Sequence, residues 1–294
     1  LHLLKLFKMD VNKLVSQSNV LTESRIEYTA LERNIFYMVL GQISLEPRDY
    51  YHISVSEMMD KTGVKNNYVE YKEATERLTS VVYSFKRPEN GNLLQVSLFA
   101  SCEYLKGQGI IQIELSKKIV PYLFDLKQRM TIYQLEVALS LSSKYSKRLY
   151  EILSQWKDLK EKTFEILELK RMLDLYNPKT GVEQYKNWSD FENRVIKSAR
   201  KDLKKINSDL TFDYKANKFG RKFTSITFKI ESKSMQKTID FKDDGILLFD
   251  KLINDFKLRK DQAKLIIDTY SEQEIKSKLY HIKLMINDNK VKNI

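Results

Sequence analysis

Apolar residues recur along this chain in two alternating rhythms, and the order of those rhythms occurs twice. In the first half, Leu31, Ile35, Met38, Val39 and Ile43 fall at helical spacing, with Glu32, Arg33 and Gln42 between them. Glu46-Pro47-Arg48-Asp49 breaks that pattern, and Tyr51-His52-Ile53 reads as a short strand. Ser54-Val55-Ser56-Glu57 then offers a capping box for a short helix, with Met58, Met59 and Val64 expected inside and Gly63 as its stop. Lys65-Asn66-Asn67 leads into a longer helix whose inward residues are expected to be Tyr68, Tyr71, Ala74, Leu78 and Val81. Leu94, Val96 and Leu98 alternate with polar residues, as do Ile111, Ile113 and Leu115. The sequence therefore predicts a hairpin with its tip at Lys106-Gly107-Gln108-Gly109. A helix-turn-helix followed by such a hairpin is a winged helix.

The second half repeats the order. A helix is expected from about Ile132 to Trp156, then a strand at Thr163-Phe164-Glu165-Ile166 and a short helix around Leu169, Met172, Leu173 and Leu175. After the loop Asn177-Pro178-Lys179-Thr180-Gly181, a long helix should start near Trp188-Ser189, with Ser189 as cap and Glu192 three residues on, and run to about Asn207. Leu210, Phe212 and Tyr214, then Ile226, Phe228 and Ile230, form the second hairpin, with a tip from Lys215 to Lys222 turned by Gly220. The expected fold is mainly α with small β wings (α+β). It comprises a winged-helix domain over 10–128, a second over 129–231, and an accessory helical segment over 232–294. Residues 1–8 precede an ordinary-looking start at Met9 and carry no signal-peptide cleavage pattern. The helical pattern reaches Ile294 without a stop signal, which leaves a continuation open.

Composition narrows the chemistry. One cysteine, Cys102, excludes an intrachain disulfide and a four-cysteine zinc site, and points to a reducing cytoplasm. No apolar window of about 18 residues spans a membrane. The net charge of +12 is unevenly placed. Residues 1–128 hold 16 basic and 15 acidic side chains, residues 129–231 hold 22 and 14, and residues 232–294 hold 13 and 10. From Arg194 to Lys222 there are 10 basic and 3 acidic residues, the usual footprint of a polyanion site.

On a helical wheel, Phe191, Val195, Ile196, Ala199, Leu203 and Ile206 occupy an arc of about 140° that forms the core face. Asn193, Arg194, Lys197, Arg200, Lys201 and Lys204 occupy about 120° on the opposite side. A recognition helix needs this division, because Arg can grip guanine and Asn can grip adenine while the apolar face holds the helix in place. Lys215, Lys218, Arg221 and Lys222 on the wing are placed to clamp the flanking phosphates. In the first half, Lys65, Asn66, Asn67 and Lys72 are the candidates, but Glu70, Glu73 and Glu76 share that helix. The second half is thus expected to be the main reader.

Four stretches, Ser18-Asn19 with Leu21, Ala30-Leu31-Glu32-Arg33, Tyr145-Ser146-Lys147-Arg148-Leu149-Tyr150-Glu151-Ile152-Leu153, and Phe191 through Asn207, together resemble the iteron-binding plasmid replication initiators of the Rep type. The resemblance covers about residues 10–231. Within the stretch from Tyr145 to Leu153, Tyr145, Leu149 and Leu153 read as core, with Arg148 and Glu151 as a surface pair. The resemblance implies monomers on direct repeats of double-stranded origin DNA, opening of an AT-rich region, and recruitment of a host initiator and replicative helicase. It also implies dimers formed through the first domain. A transcriptional repressor on the same fold is the open alternative. A nicking enzyme is disfavoured, since His2, His52 and His281 form no His-x-His pair and no phosphate-binding Gly-x-x-x-x-Gly-Lys loop occurs. Asp243-Asp244 reads as a solvated pair and Cys102 as a packing residue. No catalytic group, metal or cofactor is expected.

Overall fold

A pairing between distant segments organises the first half. In a computed structural model, which describes residues 14–25, 27–42, 48–87, 90–120, 123, 130–232, 248–249, 252–254, 256–270, 275 and 278–279, strand β1 (Leu14–Ser18) lies antiparallel to β7 (Met130–Gln134). Between them come α1 (Asn19–Glu23), α2 (Ala30–Leu40), β2 (Tyr51–Ser54), α3 (Val55–Thr62) and α4 (Tyr68–Ser80). The hairpin strands follow: β3 (Val82–Lys86), β4 (Leu93–Ser97), β5 (Phe99–Leu105) and β6 (Ile110–Leu115). Helix α2 starts with a full capping box from Thr29 and Glu32, and α3 stops at Gly63, whose φ of +67° suits a residue without Cβ.

The pairing differs from the sequence reading in one respect. The strand at Leu93–Ser97 pairs with Val82–Lys86, in a hairpin of its own. The wing around Lys106–Gly109 is instead made by β5 with β6, and β2 completes that sheet in the order β2-β6-β5. Periodicity predicts strands but not partners, and the segment before Leu93 alternates as well as the one after Leu98. Two residues expected inside are also outside: Val64 and Tyr68 are exposed, while Met58, Tyr71, Ala74 and Leu78 are buried.

The helix expected over Ile132–Trp156 is three elements. β7 runs into α5 (Leu135–Ser140), and α6 (Lys144–Ser154) follows after a break capped by Ser143. The apolar spacing continues through the break because Tyr133, Leu135, Ala138, Leu139 and Leu141 are all buried on the same core. Arg148 and Glu151, expected as a surface pair, are buried within it.

The second half contains β8 (Glu161–Glu165) and α7 (Ile166–Met172). A long helix follows, made of α8 (Trp188–Phe191), a π-helical stretch (Glu192–Lys197) and α9 (Ser198–Lys205). The wing strands are β9 (Leu210–Phe219) and β10 (Lys222–Ser232). The sheet order is β8-β10-β9, which leaves β9 at the edge. Asn187 occupies the N-cap of the long helix; Ser189 lies inside the first turn, where its Oγ accepts from Asn193 Nδ2. Buried residues of both halves form one hydrophobic cluster, from Val15 and Ile35 to Phe212 and Ile230. In the tail, α10 (Lys260–Thr269) contributes Ala263 to a separate small cluster with Leu248, Leu252, Phe256, Ile275 and Leu279. Residues 1–13, Gln128 and Asp243-Asp244 lie outside the described residues.

Candidate nucleic-acid interface

The long helix of the second half is anchored by one face. Phe191, Val195, Ile196, Ala199 and Leu203 are fully buried, and each large apolar side chain among them contributes roughly 1.5–3 kcal/mol. Burying that face fixes the other toward solvent. Asn193, Arg194, Lys197, Lys201 and Lys204 are all exposed there. The π-helical stretch covers Glu192–Lys197, where the turn widens under i→i+5 closure, a form found often at functional sites.

The exposed side chains are held by weak local contacts. Lys197 Nζ donates to Asn193 Oδ1 at 3.0 Å and lies 3.4 Å from Glu192. Arg194 pairs with Asp190 at 3.8 Å and sits 5.9 Å from the Tyr185 ring centroid. Exposed pairs of this kind are worth about 0–1 kcal/mol and are readily exchanged for a phosphate or a base edge.

Arg200 is different. It is half-buried, its Nε donates to the carbonyl of Phe212 at 3.1 Å, and Nη2 pairs with Asp213. It therefore covers the open edge of β9, where a backbone acceptor would otherwise face water or another strand. Helical spacing groups Arg200 with the other cations, whereas its contact with Phe212 depends on a strand 12 residues away.

The wing is tighter than expected. β9 continues through Lys215 and Lys218 to Phe219, β10 restarts at Lys222, and the turn is only Gly220-Arg221, with Gly220 at φ +61°. Lys215, Lys218, Arg221 and Lys222 are exposed. The sequence reading missed how the wing is braced. The Lys218 ammonium lies 4.5 Å from the Phe223 ring centroid, and Phe223 stacks on Trp188 at 4.8 Å. Trp188 is the first residue of the long helix, so wing and helix start are one packed unit. Tyr214 adds a tie by donating to Glu192 Oε1 at 2.8 Å. The only sequence signal was two aromatics, Phe219 and Phe223, in an otherwise polar tip.

In the first half, Lys65 and Lys72 are exposed and Asn66 is half-buried. Asn67 caps α4: its Oδ1 accepts from the Glu70 amide at 3.0 Å, while its own amide donates to Glu70 at 2.7 Å. Tyr68 meets Tyr104 edge-on at 5.3 Å beside a cleft of about 420 Å³ that reaches the wing tip at Lys106 and Gly109. This face pairs few cations with several carboxylates, so its field is weaker than that of the second half.

Among the described residues no group of three His, Cys, Asp or Glu could hold a metal ion, and no helix is long and apolar enough to cross a membrane. The Cys102 thiol is pushed up to about 12 by burial, the opposite of what a nucleophile needs.

Comparison with known proteins follows the same division. Residues 14–154 match the family described as "Initiator Replication protein, WH1", and residues 165–230 match "Initiator Rep protein, WH2". The first match runs past the boundary expected near Gln128 and takes in β7, which pairs with β1, together with α5 and α6. The crystal structure of Pi initiator protein in complex with iteron DNA is 20% identical with a TM-score of 0.66. That match covers 76% of this chain and 99% of Pi. Domains 2 and 3 of RctB are a weaker likeness, 10% identical over 69% of this chain and 81% of theirs, with a TM-score of 0.41. On the two family matches, which follow one another in order along residues 14–230, the chain belongs to the initiator replication protein family.

Proposed function

We propose that this chain is a plasmid replication initiator that binds direct repeats, or iterons, in its origin as double-stranded DNA. The observation that carries the reading is the second winged helix. There, an apolar face fixes a helix whose outer face is cationic, and a wing free of carboxylates at its tip is stacked against the start of that helix. The shared fold with Pi initiator protein, which was crystallised on iteron DNA, supports it.

In this reading the long helix enters the major groove. Asn193, Arg194 and Lys197 near its start reach base edges, with Arg200 joining if it leaves Asp213. Lys201, Lys204, Lys215, Lys218, Arg221 and Lys222 bind phosphates. The first winged helix takes the next groove on the same side through Lys65, Asn66 and Lys72, more weakly, with Asn67 holding the helix start. Binding opens an adjacent AT-rich region and delivers a host initiator and replicative helicase to it. Self-association through the first domain gives a dimer with a separate role. The chain acts in the cytoplasm, cuts no DNA, and needs no cofactor.

A footprint on repeat-bearing DNA tests the reading. Two heads roughly 10 bp apart should protect about two helical turns of one face. Protection of a single turn would remove the first domain from the DNA. Nicking of supercoiled origin DNA in magnesium would overturn the non-enzymatic reading.

A further inference from the structure

Phe219 is the most exposed large hydrophobic side chain among the described residues, at 84%. It ends β9 and stands opposite Lys222 across the Gly220-Arg221 turn, at the extreme tip of the wing. From Tyr214 to Ile230 the chain carries Lys215, Lys218, Arg221, Lys222 and Lys229 and no carboxylate. A tip that served solubility alone would be polar throughout. Here a phenyl ring is held in water amid cations that attract a polyanion.

The ring has no donor or acceptor, so it cannot bind a phosphate or read a base edge by hydrogen bonding. On DNA it can pack on sugars, touch a thymine methyl in a major groove, or, at a minor groove where no methyl is displayed, stack on or insert between bases. Insertion needs a rigid support, and the wing supplies one: Lys218 lies over Phe223, which is stacked on Trp188 at the helix start. If the helix lies in a major groove, as proposed above, the wing would carry this tip toward a neighbouring minor groove. Apolar wedges inserted there unstack a base step and kink the duplex.

We propose that Phe219 is a minor-groove wedge that partly unstacks one base step beside the repeat, so that binding itself bends and loosens the duplex. This rests on the DNA-binding reading above and adds a residue and a mechanical consequence to it. A second copy of the chain is a poorer occupant, because its own tip would bring the same cluster of cations.

The test uses the full chain and duplexes of about 30 bp selected by it from a randomised pool, long enough for two heads roughly 10 bp apart. The selected duplex is then prepared with 2-aminopurine at successive adenines and with end dyes that report bending. The wild-type chain and Phe219→Leu should raise 2-aminopurine fluorescence at one step and bend the duplex by at least about 20°. Phe219→Ala and Phe219→Lys should do neither. Phe219→Ala should bind about tenfold more weakly with an unchanged salt slope. The residue is exposed, so all three variants should melt with the wild type.

Equal bending and fluorescence for Phe219→Ala and wild type would overturn the wedge while leaving DNA binding intact. So would a Phe219→Ala variant that loses only self-association in sedimentation, since that would make the tip a protein contact. A wild-type chain that selects no duplex would overturn the DNA-binding reading as well.

Discussion

Arg33 Nη1 donates to Glu151 Oε1 at 2.7 Å across 118 residues of sequence, and both side chains are buried. The same carboxylate accepts from Arg148 Nη1 at 2.6 Å and from the Tyr37 hydroxyl. Arg148 spends its other donors on the carbonyls of Met172, Thr22 and Ser24. One carboxylate thereby joins α2 to α6, while Arg148 reaches the end of α7 and the C-terminal end of α1. Burial alone would push the Glu151 carboxyl up, but the two guanidinium groups outweigh it and hold it below its ordinary value.

Glu151→Gln should therefore be strongly destabilising. It leaves two buried guanidinium groups facing a neutral amide, and breaking a buried pair of this kind costs about 3–5 kcal/mol. Urea denaturation measures it. A loss below about 1 kcal/mol would mean that water reaches the network.

Lys147 gives the fold a pH dependence. Its ammonium is buried between α5 and α6, donating to Ala138 O at 2.6 Å and Leu139 O at 3.1 Å, and burial pushes it from 10.5 down to about 7. Above pH 7 the unfolded chain holds a proton that the folded chain has released, so stability from this group rises with pH between about 7 and 10. Below pH 7 both states are charged and the contribution is flat. Melts from pH 6 to pH 9 should show the rise, and Lys147→Met should reduce it. An equal slope in the variant would assign the dependence elsewhere.

The DNA face separates into three kinds of residue. Arg194→Ala should cost about 1–3 kcal/mol on the cognate duplex and relax preference at one position. Lys218→Ala should weaken cognate and scrambled duplexes alike and lower the salt slope by about one unit. Arg200→Ala should also lose about 1 kcal/mol of folding stability, since its bond to Phe212 O goes with it. Titration and urea melts of the three variants check this. A fully stable Arg200→Ala would mean that β9 does not depend on that edge contact.

Local pattern carried much of this molecule. The short helix stopped by Gly63, the long helix with Phe191, Val195 and Leu203 inside, and the alternation at Phe212, Phe228 and Ile230 were all legible, because each is set by neighbours within a few residues. What was not legible is long-range. Nothing near Val15 indicates that Tyr133 will be its partner. Charged residues are almost never fully buried unless paired, so Arg148 and Glu151 read as surface until Arg33 is brought to them by the fold. The wheel likewise grouped Arg200 with the exposed cations, because the edge of β9 that it covers has no signature in the helix. Asn67 was legible as part of a cationic turn, but its capping bond with Glu70 competes with a role on DNA.

The central claim, that the cationic face of the second winged helix grips double-stranded DNA, is tested most directly by the salt dependence of binding. The wild-type chain should lose about 10³–10⁵ in affinity between 50 and 200 mM salt if it neutralises about 6–10 phosphates. A variant with Lys201, Lys204, Lys215 and Lys218 all changed to Ala should show a slope smaller by about four units, at about one per phosphate contact. A nearly flat wild-type profile, or an unchanged slope in the variant, would place the DNA-binding surface elsewhere.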